Sequence, residues 1–364
     1  MKKRTILLTG GGTAGHVSLN QAILPELQKL DFNVEYIGSK DGIESELIPE
    51  AFPAVPYHAI SSGKLRRYFS MKNFSDPFRV GAGLVQALRI IQKTKPEAIF
   101  SKGGFVSVPV AMAGKMLGIP VIIHESDVTP GLANKIAMPF ANHIFTVFKE
   151  TLKHVPAEKS TCTGSVIRSE LMEGSAEIGK ELCHFTADLP VLMIMGGSQG
   201  SAVVNEAIRS NLPALMEAYN VIHLCGKGNL DASLENLPNY CQFEYVTTEL
   251  PHLLHMTDFV VSRAGSNSIF EFLALKKPML LIPLSRQKSR GDQILNAQLF
   301  KQQGFAHVIE EEELTPENFL SEMQKLHMDE DLLVENMTLA EPPKTASEMA
   351  KLVIAHSKVR YIKK

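Results

Sequence analysis

Short apolar runs and segments of helical period alternate along the chain. Residues 5–9, TILLT, have the leucine and β-branched content typical of a strand buried on both faces. Three glycines follow, and residues 16–30 then place apolar side chains near helical spacing. The same order returns at residues 191–218, where VLMIMGGSQGS precedes AVVNEAIRSNLPALMEA. The pattern predicts parallel β-α units in both halves.

Further segments of the first half have counterparts, in the same order, in the second half. VEYIGSK corresponds to VIHLCGKG, AIFSKGG to FVVSRAG, and GIPVIIHES to KKPMLLIPLS. The predicted fold class is therefore α/β, with two Rossmann-like, doubly wound parallel-sheet domains that face a cleft. We expect an N-terminal domain over residues 1–163 and a C-terminal domain over 164–340. A final helix within 341–364 is expected to pack back on the N-terminal domain.

Composition narrows the classes of function. A chain of 364 residues is long enough for two domains of ordinary size. The formal net charge of −2 gives no reason to expect nucleic-acid binding. The four cysteines lack the spacing of a zinc site. The first apolar run is too short for a signal-peptide core, and no later run reaches the length of a membrane span. We therefore expect a cytoplasmic protein.

Residues 61–93 have no counterpart in the second half. In their first part, basic and aromatic side chains are interleaved: Lys64, Arg66, Arg67, Tyr68, Phe69, Lys72 and Phe74. This composition is typical of contact with an anionic membrane surface, and the alternative is a set of core aromatics with a solvated charged rim. From Phe78 onward, one face of a helix is expected to pack on the sheet through Ala82, Val85, Leu88 and Ile91.

Two glycine turns in the second half have the features of a phosphate site. The first contains Gly196, Gly197 and Gly200, with Ser198 and Gln199 as side-chain donors. In the second, a turn at Gly265 precedes a helix that begins with Ser266, Asn267 and Ser268, and helix starts favour anions. Glu271 could accept hydrogen bonds from a ribose diol, or could form a capping box with Ser268. The pattern predicts a diphosphate between the turns, without a protein-held metal, because no Walker or DxD motif adjoins them.

The first half carries its own candidate chemistry. Gly10, Gly12 and Gly15 satisfy GxGxxG, but Ser39 and Lys40 stand where a dinucleotide-binding fold needs a carboxylate. His16 is also unexplained by a dehydrogenase. Two further strands end in polar motifs, SKGGFVSVP and HESD, and strand carboxyl ends are where doubly wound sheets bind ligands. Glu125 in HESD is a candidate base or orienting group, and a plain hydrogen-bonded turn is the alternative.

These motifs, in this order, resemble those of the MurG family. The resemblance covers nearly the full length and rests on GGGTAGH, SKGGFVSVP, HESD, GSVIR, GGSQG, SRAGSNSIFE and SRGDQILNA. It implies an inverting GT-B glycosyltransferase that needs no cofactor. The donor would be UDP-GlcNAc, and the acceptor undecaprenyl-linked lipid I, which becomes the peptidoglycan precursor lipid II. It further implies a peripheral protein on the cytoplasmic face of the plasma membrane, at the anionic inner leaflet, with other cell-wall synthesis and division proteins as partners.

The resemblance also assigns roles to residues. It makes His16 and Glu125 the catalytic candidates. The implied donor-binding residues are Thr13, Ala14, Gly15, Arg168, Ser198, Gln199, Val246, Ser266, Asn267, Ser268, Glu271 and Gln293. The implied acceptor-binding residues are Gly103, Gly104, Phe105 and Asp127. The chain departs from the family pattern in three places: Ala14 replaces a glycine, HESD replaces HEQN, and GSVIR lacks the usual Asn-Pro.

Alternatives remain open at this point. A non-hydrolysing UDP-GlcNAc 2-epimerase shares the fold and the nucleotide but needs no lipid. A glycolipid glucosyltransferase differs in its acceptor. A non-catalytic sugar-nucleotide-binding protein would lack the candidate bases. The general base itself could be His16 or Glu125, since imidazole and carboxylate can each accept the acceptor's proton.

Overall fold

The computed structural model describes residues 4–63, 76–197 and 200–358. The chain forms two compact units. Unit 1 comprises residues 1–166 and 344–364, and unit 2 comprises residues 167–343. Among the described helices, none combines the length and the apolar character needed to cross a bilayer.

Unit 1 is built on a parallel sheet. In the described part of the chain, seven strands pair in the order β3-β2-β1-β4-β5-β6-β7. They are β1 (Arg4–Thr9), β2 (Phe32–Ser39), β3 (Tyr57–Ile60), β4 (Ala98–Ser101), β5 (Val121–Glu125), β6 (His143–Thr146) and β7 (Ser160–Cys162). The helices between them are α1 (Gly15–Lys29), α2 (Glu44–Ala51), α3 (Asp76–Thr94), α4 (Ser107–Met116) and α5 (Leu132–Ala137).

The core of unit 1 lies on both faces of this sheet. Successive side chains of a strand point to opposite faces, so Ile6 and Leu8 of β1 pack on one side and Leu7 packs on the other. The first side is covered by α1, which contributes Val17, Ile23 and Leu24 among others. All of these side chains are fully buried. The prediction of a strand buried on both faces is therefore confirmed.

The predicted packing face of α3 is confirmed in part, since Ile91 is buried and Leu88 packs against the same core cluster. Ala82 and Val85 are exposed, and the buried side is formed by Gly83, Ala87 and Ile91. A Cβ at Gly83 would collide with the Ser61 carbonyl oxygen, so the helix is rotated to bring its glycine against the chain. The predicted membrane-contact residues, Lys64, Arg66, Arg67, Tyr68, Phe69, Lys72 and Phe74, lie outside the described residues.

The chain returns to unit 1 at its end. The short strands β8 (Val166–Ile167) and β15 (Lys344–Thr345) mark the crossings, and the Lys344 N–H donates to the Ser165 carbonyl at 2.8 Å. The last helix, α14 (Ala346–Ala355), begins with a capping box in which Thr345 and Glu348 bond each other's backbone N–H groups. It buries Met349, Ala350 and Val353 in the same cluster as α1.

Unit 2 repeats the architecture. Six described strands pair in parallel in the order β11-β10-β9-β12-β13-β14. They are β9 (Val191–Met195), β10 (Asn220–Leu224), β11 (Tyr240–Phe243), β12 (Phe259–Ser262), β13 (Met279–Leu281) and β14 (Ala306–Val308). The helices are α6 (Ala176–Cys183), α7 (Ala202–Ser210), α8 (Leu212–Ala218), α9 (Leu250–Met256), α10 (Ser266–Ala274), α11 (Asp292–Gln302), α12 (Pro316–Met328) and α13 (Glu330–Leu339). The prediction of two Rossmann-like sheets is confirmed.

Both glycine turns lie at the same point of their sheets. The strand order reverses direction at β1, which lies between β2 and β4, and at β9, which lies between β10 and β12. In doubly wound sheets a crevice forms at this reversal, at the carboxyl ends of the strands. The turn at Gly10–Gly12 follows directly from β1, and Gly196 and Gly197 follow directly from β9. The fold therefore places a binding crevice in each unit.

Candidate active site

Two glycine turns of unit 1 pack directly against each other. The Gly11 N–H donates to the Gly103 carbonyl at 3.2 Å, and the Lys102 N–H donates to the Thr9 carbonyl at 3.0 Å. A Cβ at Gly104, where φ is +85°, would collide with the Gly11 carbonyl oxygen. Glycine is required here because the two backbones approach too closely for a side chain. The SKGGF motif is thus a packing partner of the first glycine turn.

A buried carboxylate, Glu44 of α2, holds the first turn in place. It accepts hydrogen bonds from the Gly12 N–H at 2.9 Å and from the Ser39 N–H and hydroxyl at 3.0 and 2.6 Å. Sequence reasoning looked for a carboxylate at the end of β2 and missed this one, which lies five residues further on. Because its oxygens bond the protein's own donors, Glu44 stabilises the turn.

His16 lies in the first turn of α1, beside the glycines. Its Nδ1 is 2.9 Å from the Gly11 carbonyl oxygen, which can only accept, so Nδ1 carries the proton and Nε2 is the basic nitrogen. Burial lowers the pKa of His16, and the nearby Lys102 ammonium lowers it further. The Gly11 carbonyl and the carboxylates of Asp127 and Glu44 oppose that shift. The neutral imidazole is therefore the favoured form near neutral pH, as a general base requires.

Glu125, at the end of β5, is fully engaged by the loop that follows it. Its Oε1 accepts from the Asp127 N–H at 3.0 Å. Its Oε2 accepts from the Gly131 N–H and the Asn134 side-chain amide, both at 2.9 Å. The side chain is buried. These three hydrogen bonds show that the carboxylate holds the loop over residues 126–134 in place. The sequence alone did not distinguish this role from that of a base.

The remaining unit 1 candidates surround these two side chains. Gly103 is buried, whereas Gly104, Phe105 and Asp127 are half-buried. The Asp127 carbonyl accepts from the Thr151 hydroxyl at 3.0 Å. In the first glycine loop, Thr13 and Gly15 are exposed and Ala14 is half-buried. The structure thus brings the predicted acceptor-binding residues and both catalytic candidates to one edge of the unit 1 sheet.

Sequence reasoning missed a buried pair beneath this edge. Lys102 follows β4 and is 2% exposed, and its Nζ lies 3.2 Å from Nδ1 of His124, which is equally buried. Burial lowers the pKa of Lys102 to about 8, although Glu125 and Asp127 oppose the shift. Burial and the ammonium together hold the pKa of His124 well below its usual range, so His124 is neutral and accepts from Lys102.

The second glycine turn opens on a cavity within unit 2. A space of 360 Å³ is lined by the turn glycines and by donors from α7, α10, α11 and the loop after β13. Its polar lining comprises Ser201, Ser262, Arg263, Ser268, Lys288 and Gln293. Nitrogen and hydroxyl donors around a glycine turn are the chemistry of an anion site. In the described ranges, no group of three or more His, Cys, Asp or Glu side chains could hold a metal ion.

A buried arginine connects the walls of this cavity. Arg263, directly after β12, donates to the Ser201 hydroxyl at 2.6 Å and to the Ile282 and Pro283 carbonyls at 3.0 and 3.3 Å. It also forms an ion pair of 2.5 Å with Glu311, whose other oxygen is 2.6 Å from the Lys288 ammonium. Sequence reasoning quoted SRAG but did not single out its arginine. The signal was present, since a charged side chain directly after a buried strand needs a partner.

The α10 helix start differs from a capping box. Gly265 occupies the cap position without a side-chain hydrogen bond, and Ser268 lines the cavity. Glu271, one turn further, is 3.1 Å from the Arg168 guanidinium through Oε1. Burial raises the pKa of Glu271, and Arg168 opposes that shift. The capping-box alternative is therefore wrong, and the GSVIR and SRAGSNSIFE motifs meet at this ion pair.

The other predicted donor residues are placed as follows. Gln293 lines the cavity, and its side-chain oxygen accepts from the Leu284 N–H at 3.0 Å. Ser266 is buried and Asn267 half-buried in the first turn of α10, and Val246 is buried in the loop after β11. Ser198 and Gln199 lie outside the described residues.

Comparison with known proteins agrees with this architecture. Two Rossmann-like parallel sheets, each with a glycine turn at its reversal point, are the architecture of the GT-B fold. The glycosyltransferase family 28 N-terminal domain matches residues 6–146, and its C-terminal domain matches residues 191–354. The chain belongs to glycosyltransferase family 28.

Individual relatives are similar over nearly the whole length. The UDP-N-acetylglucosamine–N-acetylmuramyl-(pentapeptide) pyrophosphoryl-undecaprenol N-acetylglucosamine transferase of Geobacillus thermodenitrificans is 54% identical, over 92% of this chain and 94% of its own. The crystal structure of Acinetobacter baumannii MurG matches with a TM-score of 0.75 at 23% identity, covering 96% and 99% of the two chains. The UDP-GlcNAc 2-epimerase of Neisseria meningitidis matches with a TM-score of 0.68 at only 12% identity, covering 99% and 100%.

Proposed function

We propose that this chain transfers GlcNAc from UDP-GlcNAc to the muramic 4-hydroxyl of undecaprenyl-diphospho-MurNAc-pentapeptide, and so converts lipid I into lipid II. The observation that carries the proposal is the 54% identity, over 92% of the chain, to a transferase named for this donor and acceptor. The likeness to an epimerase is one of fold, at 12% identity, and does not favour the alternative activity.

Unit 2 binds the donor in this proposal. The cavity has the size of a small-ligand site, and its glycine turn, Ser268 and Gln293 offer donors to a diphosphate. Glu271 takes the ribose diol with Oε2, since its contact with Arg168 is made through Oε1. Val246 is the position at which main-chain groups meet uracil. The roles of Thr13, Ala14, Gly15, Ser198, Gln199, Ser266 and Asn267 follow from the family resemblance.

Unit 1 supplies the base and binds the acceptor. His16 takes the proton of the attacking hydroxyl on Nε2, because Nδ1 is committed to the Gly11 carbonyl. Glu125 positions the loop that carries Asp127, because its carboxylate already accepts three hydrogen bonds. Gly103, Gly104 and Phe105 complete the acceptor surface beside them. Attack and departure on opposite sides of the anomeric carbon invert its configuration.

The diphosphate gains negative charge as its bond to the sugar breaks, and this charge must be stabilised. Two helix starts, those of α7 and α10, flank the cavity and direct their positive ends toward it. Arg263 and Lys288 add two cations, which share the single carboxylate of Glu311. The remaining positive charge stabilises UDP as it leaves.

The membrane side of the proposal rests on sequence. Lys64, Arg66, Arg67 and Lys72 stand among Tyr68, Phe69 and Phe74, a composition that suits an anionic inner leaflet. Replacing the four basic residues by glutamine should abolish co-sedimentation with vesicles rich in anionic lipid. Vesicles of neutral lipid are the control, because binding that is equal on both would exclude an electrostatic attachment.

The test of the reaction is transfer of radiolabelled GlcNAc from UDP-GlcNAc to a lipid I analogue. We expect a labelled lipid product in the presence and absence of EDTA. Incubation with UDP-GlcNAc alone is the matching control, since a 2-epimerase would convert the sugar without any lipid. Conversion under those conditions, or label that never enters lipid, would refute the proposed function.

A further inference from the structure

The mechanism above leaves one buried cation of unit 1 without a task. Lys102 lies beneath the sheet edge at which the predicted acceptor-binding residues meet, and its ammonium contacts the neutral Nδ1 of His124 at 3.2 Å. Burying an ammonium costs free energy, and this cost outweighs the favourable charges of Glu125 and Asp127, since the pKa of Lys102 is still lowered to about 8. A lysine kept in such a place by the fold calls for a functional explanation.

The backbone places Lys102 and His16 on either side of one glycine. A Cβ added at Gly10 would lie 2.6 Å from the His16 carbonyl oxygen and 3.2 Å from the Lys102 Cβ. The Lys102 N–H donates to Thr9, the residue before Gly10, and the His16 ring bonds Gly11, the residue after it. Lys102 and His16 are therefore neighbours across one glycine turn, and charges interact more strongly in such a partly buried place than in water.

We propose that Lys102 is a positioning residue that keeps His16 neutral and so ready to accept the proton of the acceptor hydroxyl. The proposal rests on the role of His16 in the proposed function. Three charged groups face His16: Lys102 from the turn after β4, Asp127 from the loop after β5, and Glu44 from α2. The two carboxylates favour the imidazolium, and Lys102 is the cation that opposes them.

Lys102 is charged over the pH range in which His16 would gain a proton. Its pKa of about 8 lies above the lowered pKa of His16, so the ammonium is still charged throughout the pH range in which His16 would gain a proton. The neighbouring His124 stays neutral through that range, because its own pKa is held well below the usual value. Lys102 can therefore act on His16 without itself changing charge.

The experiment follows the titration of the His16 ring by NMR in the full-length protein, with His16→Gln used to assign its signal. In Lys102→Met, which keeps the length of the side chain but removes the charge, we expect the titration to move to higher pH. Lys102→Arg keeps the charge and should titrate near the wild type. Asp127→Asn removes an anion and should move the titration in the opposite direction.

The kinetic readout is kcat/KM for GlcNAc transfer as a function of pH. We expect the acidic limb of the Lys102→Met profile to lie at higher pH than that of the wild type, because a larger fraction of His16 is protonated at any given pH. A purely structural role would lower the rate equally at every pH. Lys102→Gln, whose amide can still donate to His124, is the second neutral variant if the methionine variant does not fold.

An unchanged His16 titration in a folded neutral variant overturns the proposal. The NMR titration needs no substrate, so its result tests the role of Lys102 independently of the proposed function. Absence of transfer in the wild type with a displaced His16 titration would refute the function but support the electrostatic role of Lys102. Transfer in the wild type with an undisplaced titration would refute only the role of Lys102.

Discussion

The two units use the same topology to produce different electrostatic environments. In each, a serine ends the strand beside the glycine-turn strand and a cation follows: Ser101 and Lys102 in unit 1, Ser262 and Arg263 in unit 2. Both cations donate their backbone N–H to the neighbouring strand, to Thr9 at 3.0 Å and to Met195 at 3.3 Å. The surroundings of the two side chains then differ.

Lys102 lies beneath its turn and contacts a neutral histidine, whereas Arg263 lines the cavity and shares a carboxylate with Lys288. The buried cation of unit 1 acts on a neighbouring base. The cations of unit 2 face the space in which we place a diphosphate. In our proposal, a repeated sheet topology thus serves proton acceptance in one unit and anion stabilisation in the other.

The largest expected effect comes from removing the base of unit 1. In His16→Ala, turnover should fall about 10³-fold, because a general base contributes roughly 10²–10⁴-fold. UDP affinity should stay near the wild-type value, because the UDP cavity is in the other unit. The measurements are GlcNAc transfer and calorimetric UDP binding, with the exposed His154→Ala as the control. Equal losses of turnover and of UDP affinity would contradict the assignment of the base to unit 1 and of UDP binding to unit 2.

A core substitution in α14 should separate the stabilities of the two units. Met349 is fully buried in unit 1, and Met349→Ala should lower the free energy of unfolding of that unit by about 3 kcal/mol. Hydrogen exchange of the α1 amides would report the loss. UDP binding to unit 2 should persist, and Met116→Ala, at a residue 65% exposed, is the matched control. Loss of UDP binding in step with α1 protection would show that the units are not independent.

A smaller effect is expected at the ribose position of unit 2. Glu271→Gln should weaken UDP binding about tenfold, since a hydrogen bond to a charged group contributes roughly 1.5–3 kcal/mol. The exposed Glu206→Gln in the same unit is the control. The His16 titration should be unaffected, because His16 belongs to unit 1. Undiminished UDP affinity would remove Glu271 from the donor site.

The smallest effect concerns the pH dependence of the wild type. The neutral imidazole is the active form, and the pKa of His16 is lowered by burial and by Lys102. Activity should therefore persist as the pH falls through about 6.5, the ordinary value for histidine, and decline only below it. A profile of kcat/KM checks this, with UDP affinity over the same range as the control. An acidic limb above pH 6.5 would contradict the assignment.

Local pattern was sufficient to predict the strands, the glycine turns and the duplication. Each of these depends on residues that are close in sequence, such as TILLT before its glycines, and the structure confirms two parallel sheets. The position of His16 at a helix start and that of Glu125 at a strand end followed from the same pattern. These features were accessible because a strand, a turn and a helix start each have a short signature.

Features that depend on packing at a distance were not accessible. Glu44 holds a turn 32 residues before it, and Lys102 meets His124 across 22 residues. The packing of Leu88 and Ile91 of α3 was predicted, whereas Ala82 and Val85 are exposed because it is Gly83 that packs against Ser61. The hydrogen bonds that occupy the Glu125 carboxylate were also not predicted, since their donors lie in a loop whose sequence has no periodic pattern.

The return of the chain to unit 1 affects the order of folding during synthesis. Met349, Ala350 and Val353 complete the apolar layer over α1, yet they are made only after the whole of unit 2. While residues 167–343 are being synthesised, the apolar face of α1 that α14 will cover stays exposed to water. The nascent N-terminal half is prone to aggregate through this face. We therefore expect unit 2 to reach its final form first and unit 1 to become fully stable only once α14 has emerged from the exit tunnel.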